Sequence, residues 1–306
     1  MKDQDPGHIT VLLQEAILGL EIQPGDIVVD GTLGSGGHTL EIVKRFGSKV
    51  KIIGFDLDLE AIERSKKRLA GEKADVTFVQ DNFRNLSAVL DSLSIPKVNK
   101  ILLDIGISSN QLEESGRGFS FSKDEPLQMT FKKDPTEEDT TAYTIVNEWK
   151  EETLATIIFG YGEERYSRRI AEAIVKARKI APITTTSELA AIITEATPKS
   201  YHHLRIHPAT KTFQALRIAV NDELEALKQG LANGFDRLLP EGRIAVISFH
   251  SLEDRIVKRY FRELVAAGAA AAITKKPITP SEGELSLNRR SRSAKLRIIK
   301  KGLLEG

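Results

Sequence analysis

Ile27-Val28-Val29-Asp30-Gly31-Thr32-Leu33-Gly34-Ser35-Gly36-Gly37-His38 reads as a short apolar strand that runs into a glycine-rich turn and then into a helix. Glycines in such a turn let the backbone take positive φ and approach a ligand closely. The stretches that follow repeat the alternation. Apolar runs at Lys51 to Phe55, Val76 to Val79 and Ile101 to Asp104 predict strands, and Thr39 to Phe46, Leu59 to Ala70 and Arg84 to Leu93 predict the helices between them. A β-α-β-α-β-α-β order implies an α/β fold with a parallel, doubly wound sheet, because parallel neighbours need a crossover that lays a helix on the sheet. Ligands of such sheets bind outside the carboxyl ends of the strands, where strand order reverses. Asp30, Asp56, Asn82 and Asp104 all stand at or just after strand ends.

From about Gln111 to Lys211 strand signals give way to helical ones, including Glu163 to Lys179 and Ser187 to Glu195. A sheet pattern returns at Arg243 to Phe249, followed by a helix from Leu252 to Val265 and a last strand from Ala294 to Ile299. The expected division is therefore 1–112 for the first part of a sheet domain, 113–210 for an inserted helical domain and 211–306 for the second part. Lys275 to Asn288, rich in Pro, Ser, Gly and Glu, is the segment expected to be weakly structured.

The 306 residues include 41% hydrophobic and 28% charged residues, which is the composition of a soluble globular protein. The absence of cysteine excludes a disulfide framework, a thiolate zinc site and a cysteine nucleophile. No compact group of His and carboxylates has metal-ligand spacing, so no metal is expected. The polar start Met1 to Pro6 lacks the apolar core of a secretory signal, and the longest apolar run, Leu264 to Ile273, is too short for a membrane span. A cytoplasmic protein with no membrane association is the expectation. With 44 Lys plus Arg against 43 Asp plus Glu the net charge is +1, but the charges are segregated. Asp134 to Glu164 holds nine acids and one base, Lys275 to Lys301 nine bases and two acids, and Lys199 to Arg217 three histidines and no acid. Locally basic surfaces, the electrostatic footprint of nucleic-acid binding, are thus compatible with a neutral chain.

About twenty residues after the glycine turn, Asp56 ends the second predicted strand, where a carboxylate can accept both hydroxyls of a ribose. A nucleoside cofactor is the natural reading; the plain alternative is a tight turn with a helix cap. A dinucleotide pattern read from Gly34 needs a third glycine where Thr39 stands. Asp30 would sit poorly beside a pyrophosphate but suits a sulfonium cofactor with a free amino group. S-adenosylmethionine is preferred on these grounds.

Eight motifs carry a resemblance. They are His8 to Leu13, Asp30 to His38, Asp81-Asn82-Phe83, Asp104 to Leu112, Arg117-Gly118-Phe119-Ser120-Phe121, His207 to Arg217, Ser248 to Asp254 and Arg290 to Ala294, in that order. Together they resemble the bacterial 16S ribosomal RNA cytosine-N4 methyltransferases, the RsmH (MraW) family, from His8 to about Lys300. The resemblance implies a class I S-adenosylmethionine-dependent methyltransferase fold, Rossmann-like, with an inserted helical domain. It implies methylation of a cytosine in the decoding centre of 16S ribosomal RNA, with the small ribosomal subunit as partner. By the same carry-over Gly36, Gly37, His38, Asp56, Phe83, Asp104 and Gln111 are the expected cofactor contacts. Oligomeric state stays open, a homodimer included.

Read by themselves, several of these residues have two explanations. Phe83 could pack on an adenine or belong to the core. Asp104 could hold the methionine amino group or accept a hydrogen bond from the substrate amine. The amine must lose a proton once methylated, and Asp104, Ser108 and His250 are candidates to assist. Ser251 and Asp254 fit a capping box for the helix after Phe249, which leaves His250 at a strand end without that explanation. Arg117 and Phe119 could stack an unpaired nucleotide, although buried phenylalanines would look the same. Lys211, Gln214 and Arg217 fall beside an apolar helix stripe and could line a substrate groove. Arg290 and Arg292, in a run of alternating bases on a predicted strand, could contact phosphates or merely protect a sheet edge.

One departure from the family is visible. After Pro126 the family usually continues Leu-Asp-Met-Arg-Met, whereas this chain has Leu127-Gln128-Met129-Thr130-Phe131. The missing acid and base motivate a second hypothesis, an inactive ribosome-assembly or RNA-binding factor on the same fold. A nicotinamide-dependent oxidoreductase is a third, disfavoured by Thr39.

Overall fold

The computed structural model describes residues 9–203 and 205–303. His8 of the first motif and the polar start Met1 to Pro6 lie outside the described residues. Seven strands form one sheet: β1 (Ile27–Asp30), β2 (Lys51–Asp56), β3 (Asp75–Gln80), β4 (Val98–Asp104), β5 (Leu238–Ser248), β6 (Ala270–Ala272) and β7 (Lys295–Lys301). Their order is β3-β2-β1-β4-β5-β7-β6. β1 to β5 are parallel, and β7 runs antiparallel to both of its neighbours. The chain steps outward from β1 to β3 and then returns to pair β4 with the other side of β1. The order therefore reverses between β1 and β4, whose carboxyl ends carry Asp30 and Asp104, the position at which sheets of this kind bind ligands.

Alternation along the strands explains why the sheet is covered on both faces. Val28, Ile52, Leu102, Ala245, Ile247, Leu296 and Ile298 pack with Ile17 and Leu20 of helix Leu13–Leu20, Ile42 and Val43 of helix Gly37–Phe46, and Leu69 of helix Leu59–Leu69. Their neighbours Val29, Ile53, Ile101, Leu103, Ile244, Val246 and Ile299 pack on the opposite face with Leu86 and Leu90 of helix Leu86–Ser92, Leu227 and Leu231 of helix Glu223–Arg237, and Val257 and Phe261 of helix Ser251–Ala266. The expected α/β class is present.

The chain divides into two compact units, 1–106 with 224–306, and 107–223. The boundaries expected at 113 and 210 thus lie elsewhere, and helix Thr210–Asn221 belongs to the second unit. That unit's core is helical, with Leu154, Ile158, Ile170, Ile174, Leu189, Ile193, Phe213 and Leu216 at its centre. The predicted helix from Glu163 to Lys179 begins only at Ser167. Helix Glu151–Gly162 ends with Glu163 in the left-handed region at φ 49°, and the buried Glu164 carboxylate takes the Tyr166 amide at 2.9 Å.

Three further expectations are corrected. The last strand is not an edge: β7 lies between β5 and the Ala-rich β6, whose apolar run carried no strand signal. Arg290 and Arg292 are not on it but on a 3-10 turn, Arg289–Ser293, so they do not alternate along a strand. Within Lys275 to Asn288, helix Glu282–Leu287 forms behind a Ser281 cap, and Ile278 pairs with Leu296. Glu284 accepts the Leu12 amide at 2.9 Å and Asn288 donates to the Ile9 carbonyl at 2.9 Å, so this segment holds the backbone of Ile9 and Leu12 ahead of the first helix.

Candidate active site

The glycine turn after β1 is built around two carboxylates, the buried Asp30 and the half-buried Asp56. Asp30, 1% exposed, accepts the Thr39 hydroxyl on Oδ2 at 2.7 Å and the Thr32 amide on Oδ1 at 3.3 Å. Burial outweighs these bonds and pushes its pKa up to about 6. Asp56 accepts the Gly34 amide on Oδ2 and the Asp58 amide on Oδ1, each at 2.8 Å, and burial again raises its pKa to about 6. A carboxylate has roughly four lone-pair positions, so Asp56 keeps acceptor capacity for hydroxyls after both amides are served.

Gly36 sits at φ 73°, a conformation that a side chain would strain, and a Cβ there would stand 2.8 Å from the Ser65 hydroxyl. A Cβ on Gly37 would overlap the Thr10 hydroxyl. Ser65 also donates to the Gly34 carbonyl at 2.9 Å. Thr10 and Ser65 therefore clamp the turn. Sequence reasoning missed both roles, although Thr10 stood inside the first motif.

Asp104 ends β4 with its backbone amide donated to the Thr32 hydroxyl at 2.6 Å. Its Oδ2 lies 3.9 Å from Nδ1 of the buried His38. Oδ1 is buried with no hydrogen-bond partner among the described residues. Burial, then the negative charges of Asp30 and Glu253, push its pKa up to about 7, against a backbone hydrogen bond from Gly106. Three carboxylates thus stand at the ends of neighbouring strands, and one oxygen of Asp104 lacks a donor. Phe83 is half-buried, packed against the sheet cluster with its ring over Gly230, a glycine that sequence reasoning did not single out. Gly36, Gly37, His38, Asp56, Phe83 and Asp104 all belong to the first compact unit, whereas Gln111 and Ser108 belong to the second.

Ser108 and Gln111 form a capping box on helix Ser109–Glu113. The Ser108 hydroxyl accepts the Gln111 amide at 3.1 Å, and Gln111 Oε1 accepts the Ser108 amide at 3.0 Å. The box expected at Ser251 and Asp254 is displaced by one residue. His250 is the N-cap of helix Ser251–Ala266, its Nδ1 accepts the Glu253 amide at 3.4 Å, and Glu253 accepts the Phe249 and His250 amides at 2.8 and 3.2 Å. Asp254 instead binds Lys295 at 3.2 Å and Arg297 at 2.7 Å. His250 thus has the structural role that the sequence reading gave to Ser251.

The residues assigned to substrate are largely occupied. Arg117 is buried, donates to the Phe131 carbonyl at 2.8 Å and stands over the ring of Phe119. Phe119 is buried and stacks on Phe131 at 5.5 Å, so neither is an exposed base-stacking loop. Gln214 donates to the Tyr161 carbonyl at 3.0 Å, and Lys211 to that of Glu163 at 2.9 Å. Arg217 makes a two-pronged ion pair with Glu223, both bonds 2.8 Å. Arg290 and Arg292 are exposed. Around the departure from the family pattern, the loop is held by backbone groups. Met129 donates to the Arg117 carbonyl at 2.7 Å, Asn221 bridges the Met129 carbonyl and the Phe131 amide, and the buried Thr130 hydroxyl accepts the Lys132 amide.

Residues 5–302 match the MraW methylase family. The chain is 45% identical to Ribosomal RNA small subunit methyltransferase H of Brevibacillus brevis over 96% of this chain and 98% of that protein. The same identity and coverages hold for the protein of that name from Clostridium botulinum. A solved rRNA methylase from Streptococcus thermophilus shares 12% identity over 95% of this chain and 93% of its own, with a TM-score of 0.41. No helix among the described residues is long and apolar enough to cross a membrane.

Proposed function

Since the chain belongs to the MraW methylase family, we propose that it methylates the exocyclic N4 of a cytosine in the decoding centre of 16S ribosomal RNA, acting on the small ribosomal subunit. The fold is that of class I methyltransferases and the methyl donor is S-adenosylmethionine, which when bound supplies an electrophilic methyl group on a sulfonium. The observation that carries this reading is the buried, unpartnered Oδ1 of Asp104 at the end of β4. An orphaned carboxylate oxygen beside two other acids fits a cationic amino group or the N–H of an exocyclic amine, and leaves Asp104 costly to ionise without one.

The residues of the first unit divide the work. Asp56 fixes Gly34 and offers its remaining acceptor positions to ribose hydroxyls, while Asp30 and Thr39 hold the turn closed. Phe83 presents a half-buried apolar ring next to the end of β3, suited to one face of an adenine. Asp104 draws on a hydrogen of the cytosine amine, which helps the nitrogen become pyramidal as it attacks. With a pKa of about 7 it is matched to accept the proton that the methylated amine sheds. Ser108 and His250 are held as helix caps and assist by fixing backbone rather than by taking that proton. Positioning of two reactants accounts for most of such a displacement, and no covalent enzyme intermediate is needed.

The test is methyl transfer from S-adenosylmethionine to small-subunit particles lacking the modification, read by nucleoside mass spectrometry. N4-methylcytidine is the expected product. A different methylated nucleoside would overturn the cytosine-N4 reading, and binding to the particles without transfer would favour the inactive assembly factor.

A further inference from the structure

The second unit contains a cavity of about 580 Å³ of which the sequence reading assigned only Lys211. Arg165, Arg205, His207 and Lys211 line it, with Tyr201 and Glu163 in the same wall. Three permanent cations against one carboxylate leave the wall net positive.

Arg165 is preorganised by its neighbours. Its guanidinium lies 4.8 Å from the ring centroid of Tyr166 and 5.1 Å from that of Tyr201, and the two rings meet edge to face at 5.1 Å. Both tyrosines depend on Glu164, a fully buried carboxylate that accepts the Tyr166 amide at 2.9 Å and the Tyr201 hydroxyl at 2.6 Å. Burial and that hydrogen bond push the Tyr201 hydroxyl up to about 12, so the phenol stays neutral and goes on donating its proton to the Glu164 carboxylate. Stacking engages the faces of the guanidinium and leaves its N–H edge for an acceptor. Lys211 gives one Nζ hydrogen to the Glu163 carbonyl and has two more. The His207 ring leans on Phe121 at 4.7 Å and takes the Ala209 amide on Nδ1 at 3.2 Å, which puts the ring proton on Nε2 as a further donor.

Fixed guanidinium and ammonium donors next to aromatic rings match a phosphodiester with an adjoining unpaired base. We propose that this cavity is a second anchoring point for single-stranded RNA, holding a stretch of the substrate other than the target nucleotide; this rests on the RNA-methylation reading above. The buried Glu164 would serve it as a positioning residue, acting through the two tyrosines and Arg165.

The test uses the full chain with Arg165→Gln and Arg205→Gln, singly and together. Binding of an oligonucleotide carrying the target segment of the small-subunit RNA is followed by fluorescence anisotropy across a salt series, with S-adenosylmethionine calorimetry on the same preparations. The double variant should lose about tenfold or more in RNA affinity. Its slope of log affinity against log salt should fall by about 0.7 for each lost contact. S-adenosylmethionine affinity should not change. Because Arg165 is packed on two rings, Arg205→Gln alone keeps the test sound if the other variant fails to fold, and Arg165→Lys should recover the salt slope but only part of the affinity. Wild-type affinity and slope in Arg205→Gln and in the double variant would overturn the proposal, as would a wild-type protein that does not bind the oligonucleotide at any salt. Binding through these arginines without methylation of cytosine overturns only the functional reading. Methylation with unaffected binding overturns only the cavity.

Discussion

The Thr39 hydroxyl donates to Asp30 Oδ2 at 2.7 Å across the glycine turn, so the residue that breaks the dinucleotide pattern is the one that satisfies the buried acid of β1. A glycine at that position would leave the carboxylate short of a donor in a site 1% exposed to solvent. Thr39→Val should therefore cost about 1 to 3 kcal/mol of stability, while Thr39→Ser should stay near wild type. Thermal unfolding of the three proteins checks this, and equal melting temperatures would show that the bond contributes nothing.

Asp56→Ala should weaken S-adenosylmethionine binding by about 1.5 to 3 kcal/mol, through lost charge-assisted hydrogen bonds. The same change frees the Gly34 and Asp58 amides, so a modest loss of stability should accompany it. Calorimetric titration gives the first quantity and thermal unfolding the second. Unchanged affinity would remove Asp56 from the cofactor site.

Asp104 gives a pH dependence with a definite sign. Its pKa of about 7 means that lowering the pH through neutrality protonates it and removes the acceptor for the amine. The profile of kcat/KM should therefore fall on the acid side of about pH 7. Asp104→Asn should abolish that limb and lower kcat/KM by about 10²- to 10⁴-fold. A wild-type profile flat from about pH 6 to 8 would contradict the assignment.

The same carboxylate carries a stability signature in the protein without cofactor. Its folded pKa lies above the ordinary 3.8, so the folded state holds the proton more tightly, and stability falls as pH rises from about 4 through about 7. Asp104→Asn should accordingly be more stable than wild type by about 1 to 3 kcal/mol at pH 8. The gap should close toward pH 4. Denaturant titrations at the two pH values measure it; a gap that does not change with pH would mean that ionisation of Asp104 is not its source.

The carboxyl-terminal bases should separate into two groups. Arg297 is buried and bound to Asp254 at 2.7 Å, so Arg297→Ala should destabilise by about 1 to 3 kcal/mol, because one oxygen of Asp254 loses its donor and only Lys295 remains paired with it. Arg290→Ala with Arg292→Ala, at exposed positions, should leave stability alone and lower the salt slope of RNA binding by about 0.7 per lost contact. Unfolding and salt-series binding of both variants distinguish the two groups.

The sheet was largely legible because Val28, Val29, Ile52 and Ile53 are apolar on both faces, and buried parallel strands read as continuous apolar runs. β6 was not, since Ala270 to Ala272 has neither β-branched nor aromatic residues. At the site, Asp56 and Asp104 announced themselves as acids at strand ends. Thr10 and Ser65 did not, because their contact with the turn depends on glycines that omit a Cβ, and an omission leaves no local pattern. His250 was misread because its cap uses an imidazole nitrogen where the familiar box has a hydroxyl, and Glu253 rather than Asp254 closes it. Arg117 was read as an available base because charge says nothing about whether carbonyls such as that of Phe131 wait nearby.

β4 ends at Asp104 and its parallel neighbour β5 begins at Leu238, so hydrogen-bonded partners in the middle of the sheet are separated by the whole helical insertion. On a translating ribosome adding about 5 to 20 residues per second, one side of β4 is without its strand for roughly ten seconds. β5 in turn waits for β7, the last strand made. An unpaired edge is a template for the wrong strand. During synthesis the chain is therefore exposed to mispairing where the finished molecule is most deeply buried, and a burst of expression should strain chaperone capacity well before it strains the stability of the folded protein.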